Sequence, residues 1–362
     1  MSDTADYRAL FLAGAPMMDT RAPVEFAHGS FPNTVNLPLM TDDERALVGT
    51  CYKQQGQEAA IDLGHSLVHG AVKSERVEAW LDFARRNPDG YLFCFRGGLR
   101  SQICQQWMRE AGCDYPRIHG GYKAMRRFLI DTLETQGSER RFILLAGHTG
   151  AAKTALLARV PNSLDLEGMA HHRGSAFGKR PGGQPAQIGF ENSIAAGLLQ
   201  QAERFPAQAT VLEDESRLIG KLALPQNLRE AMARAPLVLL QSTLAQRVEH
   251  TFENYILAAL HERREHYGQE QGFTQFADYL RQSLANIQRR LGGARYQALD
   301  AQLMEALVAH ERGDPDAHRG WIEALLVDYY DPMYSYQMDK KRDQVVFAGD
   351  ADAVYQYLTE ET

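Results

Sequence analysis

Twice this chain runs an apolar strand candidate directly into a glycine-bearing loop and out through a helix start. The first run is Leu92-Phe93-Cys94-Phe95-Arg96-Gly97-Gly98-Leu99-Arg100-Ser101. The second is Leu144-Leu145-Ala146-Gly147-His148-Thr149-Gly150-Ala151-Ala152-Lys153-Thr154. Loops of this kind aim backbone N–H groups at an anion and sit at the carboxyl ends of parallel strands. Two of them restrict the fold class to α/β and predict two anion sites.

The flanking pattern agrees. Residues 1–132 alternate strand candidates (Pro16–Asp19, Asn33–Leu37, Gly90–Cys94) with helical patterns (Val77–Arg86, Ser101–Ala111), which implies a parallel sheet covered on both faces. Residues 133–140 are polar and aperiodic and read as a linker. Residues 141–243 form a second α/β unit, a P-loop NTPase-like parallel sheet with strands near Phe142–Ala146, Ala209–Leu212 and Pro236–Leu240. Residues 244–362 are mainly helical, with a candidate returning strand at 345–347.

Composition narrows the function classes. No apolar run approaches the roughly 20 residues of a membrane span, and the polar start lacks a signal-peptide layout. A cytoplasmic protein without a membrane partner is expected. Cys51, Cys94, Cys104 and Cys113 form no disulfide framework and have no zinc-ligand spacing, so reduced thiols and no structural metal are expected. A net charge of -7 argues against indiscriminate nucleic-acid binding and leaves room for local basic faces.

Cys94, with Arg96 and Arg100 nearby, is the candidate nucleophile, because oriented amides, a helix N-terminus and guanidinium groups favour a thiolate. The competing reading is a buried strand cysteine. Cys104 and Cys113 read as core, and Cys51 as a second thiol. In the second loop Gly147, Gly150, Lys153 and Thr154 match a phosphate cradle, while Ala152 stands where a glycine belongs. A plain strand-to-helix turn is the alternative. Glu213, Asp214 and Glu215 follow a strand where a carboxylate would hold magnesium through water, although Arg217 could pair with them structurally. The glycine-rich basic stretch with His171, His172, Arg173, Lys179 and Arg180 suits phosphate or RNA, or is a solvated loop. Lys340, Lys341 and Arg342 form another basic patch, as do Arg126-Arg127, Arg140-Arg141 and Arg289-Arg290. Tyr329, Tyr330, Tyr334 and Tyr336 are candidates for base stacking or for packing.

The first 130 residues resemble a rhodanese domain, through Asp19-Thr20-Arg21-Ala22-Pro23-Val24-Glu25-Phe26, Val35-Asn36-Leu37-Pro38 and the C-x5-R spacing from Cys94 to Arg100. Dual-specificity phosphatases share that spacing but commonly carry a histidine where Phe93 stands. Over nearly its full length the chain resembles the bacterial tRNA 2-selenouridine synthase family, a rhodanese domain fused to a P-loop domain. The strings that carry this are Val48-Gly49-Thr50-Cys51-Tyr52-Lys53-Gln54-Gln55-Gly56, Gly120-Gly121-Tyr122-Lys123-Ala124, Asp165-Leu166-Glu167-Gly168, Arg173-Gly174-Ser175-Ala176-Phe177-Gly178, Glu213-Asp214-Glu215-Ser216-Arg217 and Tyr329-Tyr330-Asp331-Pro332-Met333-Tyr334.

The resemblance implies an enzyme, both geranyltransferase and selenotransferase. It would convert wobble 2-thiouridine in the anticodon arms of tRNAs for Lys, Glu and Gln into 2-selenouridine through S-geranyl-2-thiouridine. Its cosubstrates would be geranyl diphosphate and selenophosphate, with magnesium near Asp214, contact with a selenium donor enzyme, and no organic cofactor. Cys94 would carry or deliver selenium, supported by Arg96 and Arg100, and Lys153 and Thr154 would bind the diphosphate. The rival readings are a sulfurtransferase or C-x5-R phosphatase with a regulatory P-loop half, and a noncatalytic RNA-binding adaptor.

Overall fold

Short strands, apolar on both faces at the sheet centres, build two parallel sheets, as expected when helices must bury the residues between them. The computed structural model describes residues 2–360 and divides into two units, Met1–Gln136 with Pro185–Arg204 and Gly137–Gln184 with Phe205–Thr362.

In the first unit β1 (Met17–Asp19) lies between β2 (Thr34–Asn36) and β3 (Tyr91–Phe93), all parallel. Bridges from Leu92 to Arg117 and from Ile118 to Thr4 continue the array beyond β3. Met18 and Leu92 are buried against Trp80, Phe83 and Ala84 of helix Gly70–Arg86 and Cys104, Trp107 and Met108 of helix Leu99–Glu110. Cys104 is core, and burial pushes its thiol far up. Helix Gln187–Arg204 lies in the expected P-loop stretch yet belongs to the first unit. Asn192 accepts from Arg126 (2.8 Å) and donates to the Ser30 carbonyl (2.7 Å), and Gln200 donates to the Phe11 carbonyl (2.7 Å).

The second unit holds β4 (Phe142–Gly147), β5 (Ser163–Leu164), β6 (Thr210–Glu213), β7 (Leu218–Ile219), β8 (Leu222–Ala223), β9 (Leu237–Leu240) and β10 (Val345–Gly349). Five of them form a parallel sheet ordered β10-β9-β4-β6-β5, while β7 and β8 pair separately as an antiparallel ribbon. β4 is central, and all six of its residues are buried. The returning strand is present and longer than expected, pairing with β9.

Between β9 and β10 the chain is helical. Segments Leu244–Phe252 and Ala258–Tyr267 are joined through a π-turn at Glu253–Leu257, and His318–Leu325 and Asp331–Asp339 through another at Leu326–Tyr330. These enclose a second core with Phe276, Leu280, Leu284, Leu303 and Trp321. The expected linker at 133–140 is instead the last part of helix Gly121–Glu139, because its polar residues continue a helix whose apolar face, including Met125 and Leu129, is already buried. Among the described residues no helix is long and apolar enough to cross a membrane.

Within the helical core Trp321 Nε1 donates to His318 Nδ1 (2.8 Å), and His318 Nε2 lies 3.1 Å from His310 Nδ1. The indole is donor-only, so His318 Nδ1 must stay unprotonated, and burial pushes His318 down to about 3. A native value below the ordinary 6.5 means that the unfolded chain takes up the proton first. This stabilisation is complete above about pH 6.5 and is lost as pH falls towards 3. His318→Gln can keep both hydrogen bonds without titrating. Wild type should lose about 2 kcal/mol more stability than His318→Gln between pH 6.5 and 5; melting curves with equal slopes against pH would contradict this.

Candidate active site

Cys94 follows β3 and is 3% exposed, beneath the start of helix Leu99–Glu110. Its Sγ lies 3.3 Å from Ser101 Oγ, which donates to the Gly98 carbonyl (2.9 Å). The loop is held from behind by two backbone bonds, Tyr122 N to the Cys94 carbonyl and Lys123 N to the Phe95 carbonyl, each 2.9 Å. Gly121 is essential to that contact: at φ +55° a Cβ there would sit 2.2 Å from the Cys94 carbonyl oxygen. Asp19 at the end of β1 is buried with Arg21 (2.6 Å), whose guanidinium stacks on Tyr122 at 3.7 Å.

The two arginines of this loop differ. Arg100 is committed to Glu25, with Nη1–Oε2 at 2.6 Å and Nη2–Oε1 at 3.3 Å. Burial alone would raise the Glu25 carboxyl, but hydrogen bonds and charge from Arg100, together with Arg45, hold it below its ordinary value. Arg96 is exposed and is the guanidinium open to an incoming anion. Cys51 lies on helix Asp42–Gln55 and is buried.

In the second unit the loop after β4 turns into helix Lys153–Leu157. Ala152 adopts φ +66° and ψ +31°, the left-handed conformation that a glycine would take without strain. The missing glycine changed the residue and kept the turn. Lys153 Nζ donates to the Gly147 carbonyl (3.1 Å) and Thr154 Oγ1 to Glu167 Oε2 (3.3 Å). Gly150 packs so closely on Arg247 and Thr251 that a Cβ would come within 2.7 Å of both. Arg247 donates from Nε to the Thr149 carbonyl (3.0 Å) and from both Nη atoms to Asp331. His148 Nδ1 also meets Asp331 (3.1 Å), and burial, reinforced by the Arg247 charge, lowers that imidazole.

The three expected acids have three different environments. Glu213 is fully buried, accepts from Leu166 N (3.1 Å) and lies off the cleft; burial, with the charges of Asp165 and Glu167, drives it well up. Asp214 is paired with Lys341 (2.6 Å). Glu215 is raised by burial and by Glu167, with which it shares a hydrogen bond, and Glu167 is raised by burial in turn. Glu167 and Glu215 face each other beside Lys153 and the Thr154 hydroxyl. Two hard carboxyls next to a threonine hydroxyl are donors that would suit a magnesium ion. The residues that would hold it are Thr154, Glu167 and Glu215, while Asp214, also on the cleft, is paired with Lys341.

The basic loop is not a solvated one. His172, Arg173 and Phe177 are buried, and Phe177 packs on Trp321 with ring centroids 5.8 Å apart. Burial and the surrounding Lys179, Arg173 and Arg180 charges push His172 down to about 4. His171 binds the Gly183 carbonyl (2.8 Å), and Lys179 is exposed. Lys340 lies over the Tyr336 ring (4.1 Å), and Arg342 is exposed. Among the other basic doublets, Arg126 pairs with Glu191 and Arg127 with Asp131. Tyr329 and Tyr330 are core residues, whereas Tyr336 is exposed.

A cleft of about 1100 Å³ joins these parts of the second unit. The phosphate loop with Lys153, Thr154, Glu167 and Glu215 forms one wall; Arg173, Lys179 and Arg180 lie on another; Tyr255, Ile287, Tyr329, Tyr330, Met333 and Met338 add apolar surface.

Comparison with known proteins decides the family. A family model described as the tRNA 2-selenouridine synthase AAA domain matches residues 140–362. A tRNA 2-selenouridine synthase of Hahella chejuensis is 62% identical over 98% of this chain and 94% of its own length. Proteins of the same name from Pseudomonas syringae pv. syringae and Ectopseudomonas mendocina are 55% and 57% identical, over 99% and 98% of this chain and 98% and 95% of theirs. The chain belongs to the tRNA 2-selenouridine synthase family. In this family member the strings around Asp165, Arg173 and Glu213, separated in sequence, meet at the cleft where its acidic and basic walls join: a Cβ on Gly174 would fall 1.8 Å from Glu167 Oε1 and 3.0 Å from Glu215 Oε1. Sequence reasoning missed Arg247, Tyr255 and Glu262, and assigned no role to Asp331, because a lone polar residue on a helix gives no local signal of its distant partner.

The strained Ala152 gives a direct test. Ala152→Gly relieves the left-handed strain but frees the unfolded chain, so stability should stay within about 1 kcal/mol of wild type. Ala152→Val, β-branched in the same conformation, should cost about 2 kcal/mol. Thermal melts giving equal losses for both variants would contradict the assigned backbone.

Proposed function

We propose that this protein converts 2-thiouridine at the tRNA wobble position into 2-selenouridine, through an S-geranyl intermediate, using geranyl diphosphate and selenophosphate. The observation that carries the reading is the cleft, in which a phosphate loop and an apolar wall share one cavity. A short prenyl diphosphate has the same two halves. The near full-length likeness to proteins named tRNA 2-selenouridine synthase supports the overall conversion.

In the first step the thiouridine sulfur attacks C1 of the geranyl group, the C1–O bond breaks, and pyrophosphate leaves with the electron pair. The loop amides and Lys153 hold the departing diphosphate and stabilise the charge that grows on it. A magnesium ion held by Thr154, Glu167 and Glu215 would add charge neutralisation there. The apolar wall with Tyr255, Tyr330 and Met333 shields the prenyl chain from water. In the second step the selenium of selenophosphate adds to C2, the C2–S bond breaks and geranylthiol leaves with its electron pair and the selenol proton. This is a better departure than that of the unalkylated thione sulfur. Water then attacks phosphorus, the P–Se bond breaks and phosphate leaves, with no change of oxidation state. Cys94 positions the selenium for the attack on C2, with Arg96 as the exposed cation for the incoming selenophosphate. The tRNAs for Lys, Glu and Gln are the proposed substrates, the cytoplasm the proposed compartment, and a selenium donor enzyme the proposed partner.

Mass spectrometry of nucleosides from thiolated tRNA, incubated with protein, geranyl diphosphate and selenophosphate, tests both steps. Wild type should give S-geranyl-2-thiouridine and 2-selenouridine. Lys153→Ala should slow prenylation on the order of 10²-fold, and Cys94→Ser should accumulate the S-geranyl nucleoside without selenouridine. Unchanged tRNA with wild type and verified substrates would overturn the reading in favour of a sulfurtransferase or phosphatase.

A further inference from the structure

The basic wall of the cleft holds more positive charge than its own residues neutralise. Arg173 donates from Nη2 to Glu262 Oε1 (2.7 Å), and Arg180 Nη1 reaches the same oxygen at 3.8 Å. Arg263, 4% exposed, lies behind them, with its guanidinium 3.6 Å from the Tyr279 ring centroid and Nη2 donating to the Lys179 carbonyl (3.1 Å). Arg173 and Arg180 thus share one carboxylate, Glu262, while among the described residues Lys179 and Arg263 form no ion pair of their own, so positive charge is in excess here.

Two donors in this cluster are also unspent. Arg173 is 8% exposed and its Nη1 has no partner; Arg180 is partly exposed but its Nε atom is buried and without one, as is the acceptor Glu262 Oε2 beside them. A buried donor left unpaired costs about 1–3 kcal/mol, and with Glu262 Oε2 able to take one of the two, at least one donor calls for an acceptor that arrives from outside. Arg173, Lys179 and Arg180 all line the cleft. The Glu167–Glu215 pair does not discharge them, since those carboxyls are hydrogen-bonded to each other and lie beside Lys153. Arg173 is fixed in place by Glu262 on one side and by its carbonyl, which accepts from Tyr255 Oη (2.9 Å), on the other.

We propose that Arg173 and Arg180, with Lys179, form a second phosphoryl-binding site in the cleft, separate from the phosphate loop. Guanidinium N–H groups match the oxygens of a phosphoryl group better than an ammonium does, and charge-assisted bonds of this kind are the strong ones. The occupant is a phosphodiester of bound RNA or a free phosphoryl compound. Only the RNA alternative rests on the tRNA reading above.

The test is calorimetric titration of the full-length protein with inorganic phosphate, followed by titration with an anticodon stem-loop RNA. Wild type should bind two phosphates and Lys153→Ala one. Adding Arg180→Gln to Lys153→Ala should weaken the remaining site about tenfold or more. Arg180 is chosen because its side chain is partly exposed, and circular dichroism verifies folding. The proposal is overturned if Lys153→Ala binds no phosphate, or binds it equally well with and without Arg180→Gln. In the RNA arm, Arg180→Gln should lower the salt slope of log K by about one if a phosphodiester is the occupant. An unchanged slope beside a weakened phosphate site assigns the site to a free phosphoryl compound. A protein that binds phosphate twice but no RNA would refute the tRNA reading while leaving this site standing.

Discussion

One guanidinium ties the phosphate loop to the helices beyond the sheet. Arg247, 5% exposed, spends Nε on the Thr149 carbonyl and both Nη atoms on Asp331, which also meets His148. Three stretches far apart in sequence are thereby fixed together: the loop after β4, helix Leu244–Phe252 and helix Asp331–Asp339. Removing one partner of such a pair strands a charge that water can reach only partly, a loss of about 3 kcal/mol or more. The close approach of Gly150 to Arg247 makes the same joint steric as well as electrostatic. The loop's shape is therefore set by the helical region and not by its own sequence alone, which is how it keeps a left-handed Ala152.

That dependence explains what the amino-acid sequence made legible. The strand–loop–helix turns at Cys94 and Gly147 were readable because apolar strand, glycine and helix start are adjacent in the chain. The parallel sheets followed from the same alternation. Helix Gln187–Arg204 was misplaced because its allegiance lies in single long-range bonds, such as Asn192 to Ser30 and Gln200 to Phe11, that leave no local pattern. Residues 133–140 look like a linker for a similar reason: helix Gly121–Glu139 ends in polar residues, and polarity alone does not stop a helix. Among the candidate site residues, Lys153 and Thr154 line the cleft, while Glu213 does not and Arg100 is bound to Glu25. Motif spacing located the loops, but only packing could say which charged groups remained free.

Charge within the second unit is sorted by wall. Beside Lys153 the carboxyls of Glu167 and Glu215 are both raised by burial, and Glu215 also by the Glu167 charge, so they disfavour joint ionisation. Across the string that begins at Arg173 the balance reverses, with guanidinium groups outnumbering Glu262 and His172 pushed down by burial and by the charges of Lys179, Arg173 and Arg180. Gly174 is the hinge between the two, since a side chain there would collide with Glu167. An acidic chain thus presents concentrated positive charge where a phosphorylated substrate would need it, and its overall charge of -7 says little about its partners.

The apolar part of the cleft owes its position to two irregular turns. A π-turn inserts one residue into a helix and rotates every side chain after it, at a cost that regular packing would not accept without return. Here both π-turns, Glu253–Leu257 and Leu326–Tyr330, supply cleft-lining side chains, Asn254 and Tyr255 from one and Tyr329 and Tyr330 from the other. In each case the preceding or following regular helix carries the brace on the phosphate loop, Arg247 before the first turn and Asp331 after the second. The extra residue in the first turn changes the angle between Arg247, which holds the loop, and Tyr255, eight positions later, which donates to the Arg173 carbonyl. The irregular turns allow one pair of helices both to stiffen the phosphate loop and to wall the space beside it.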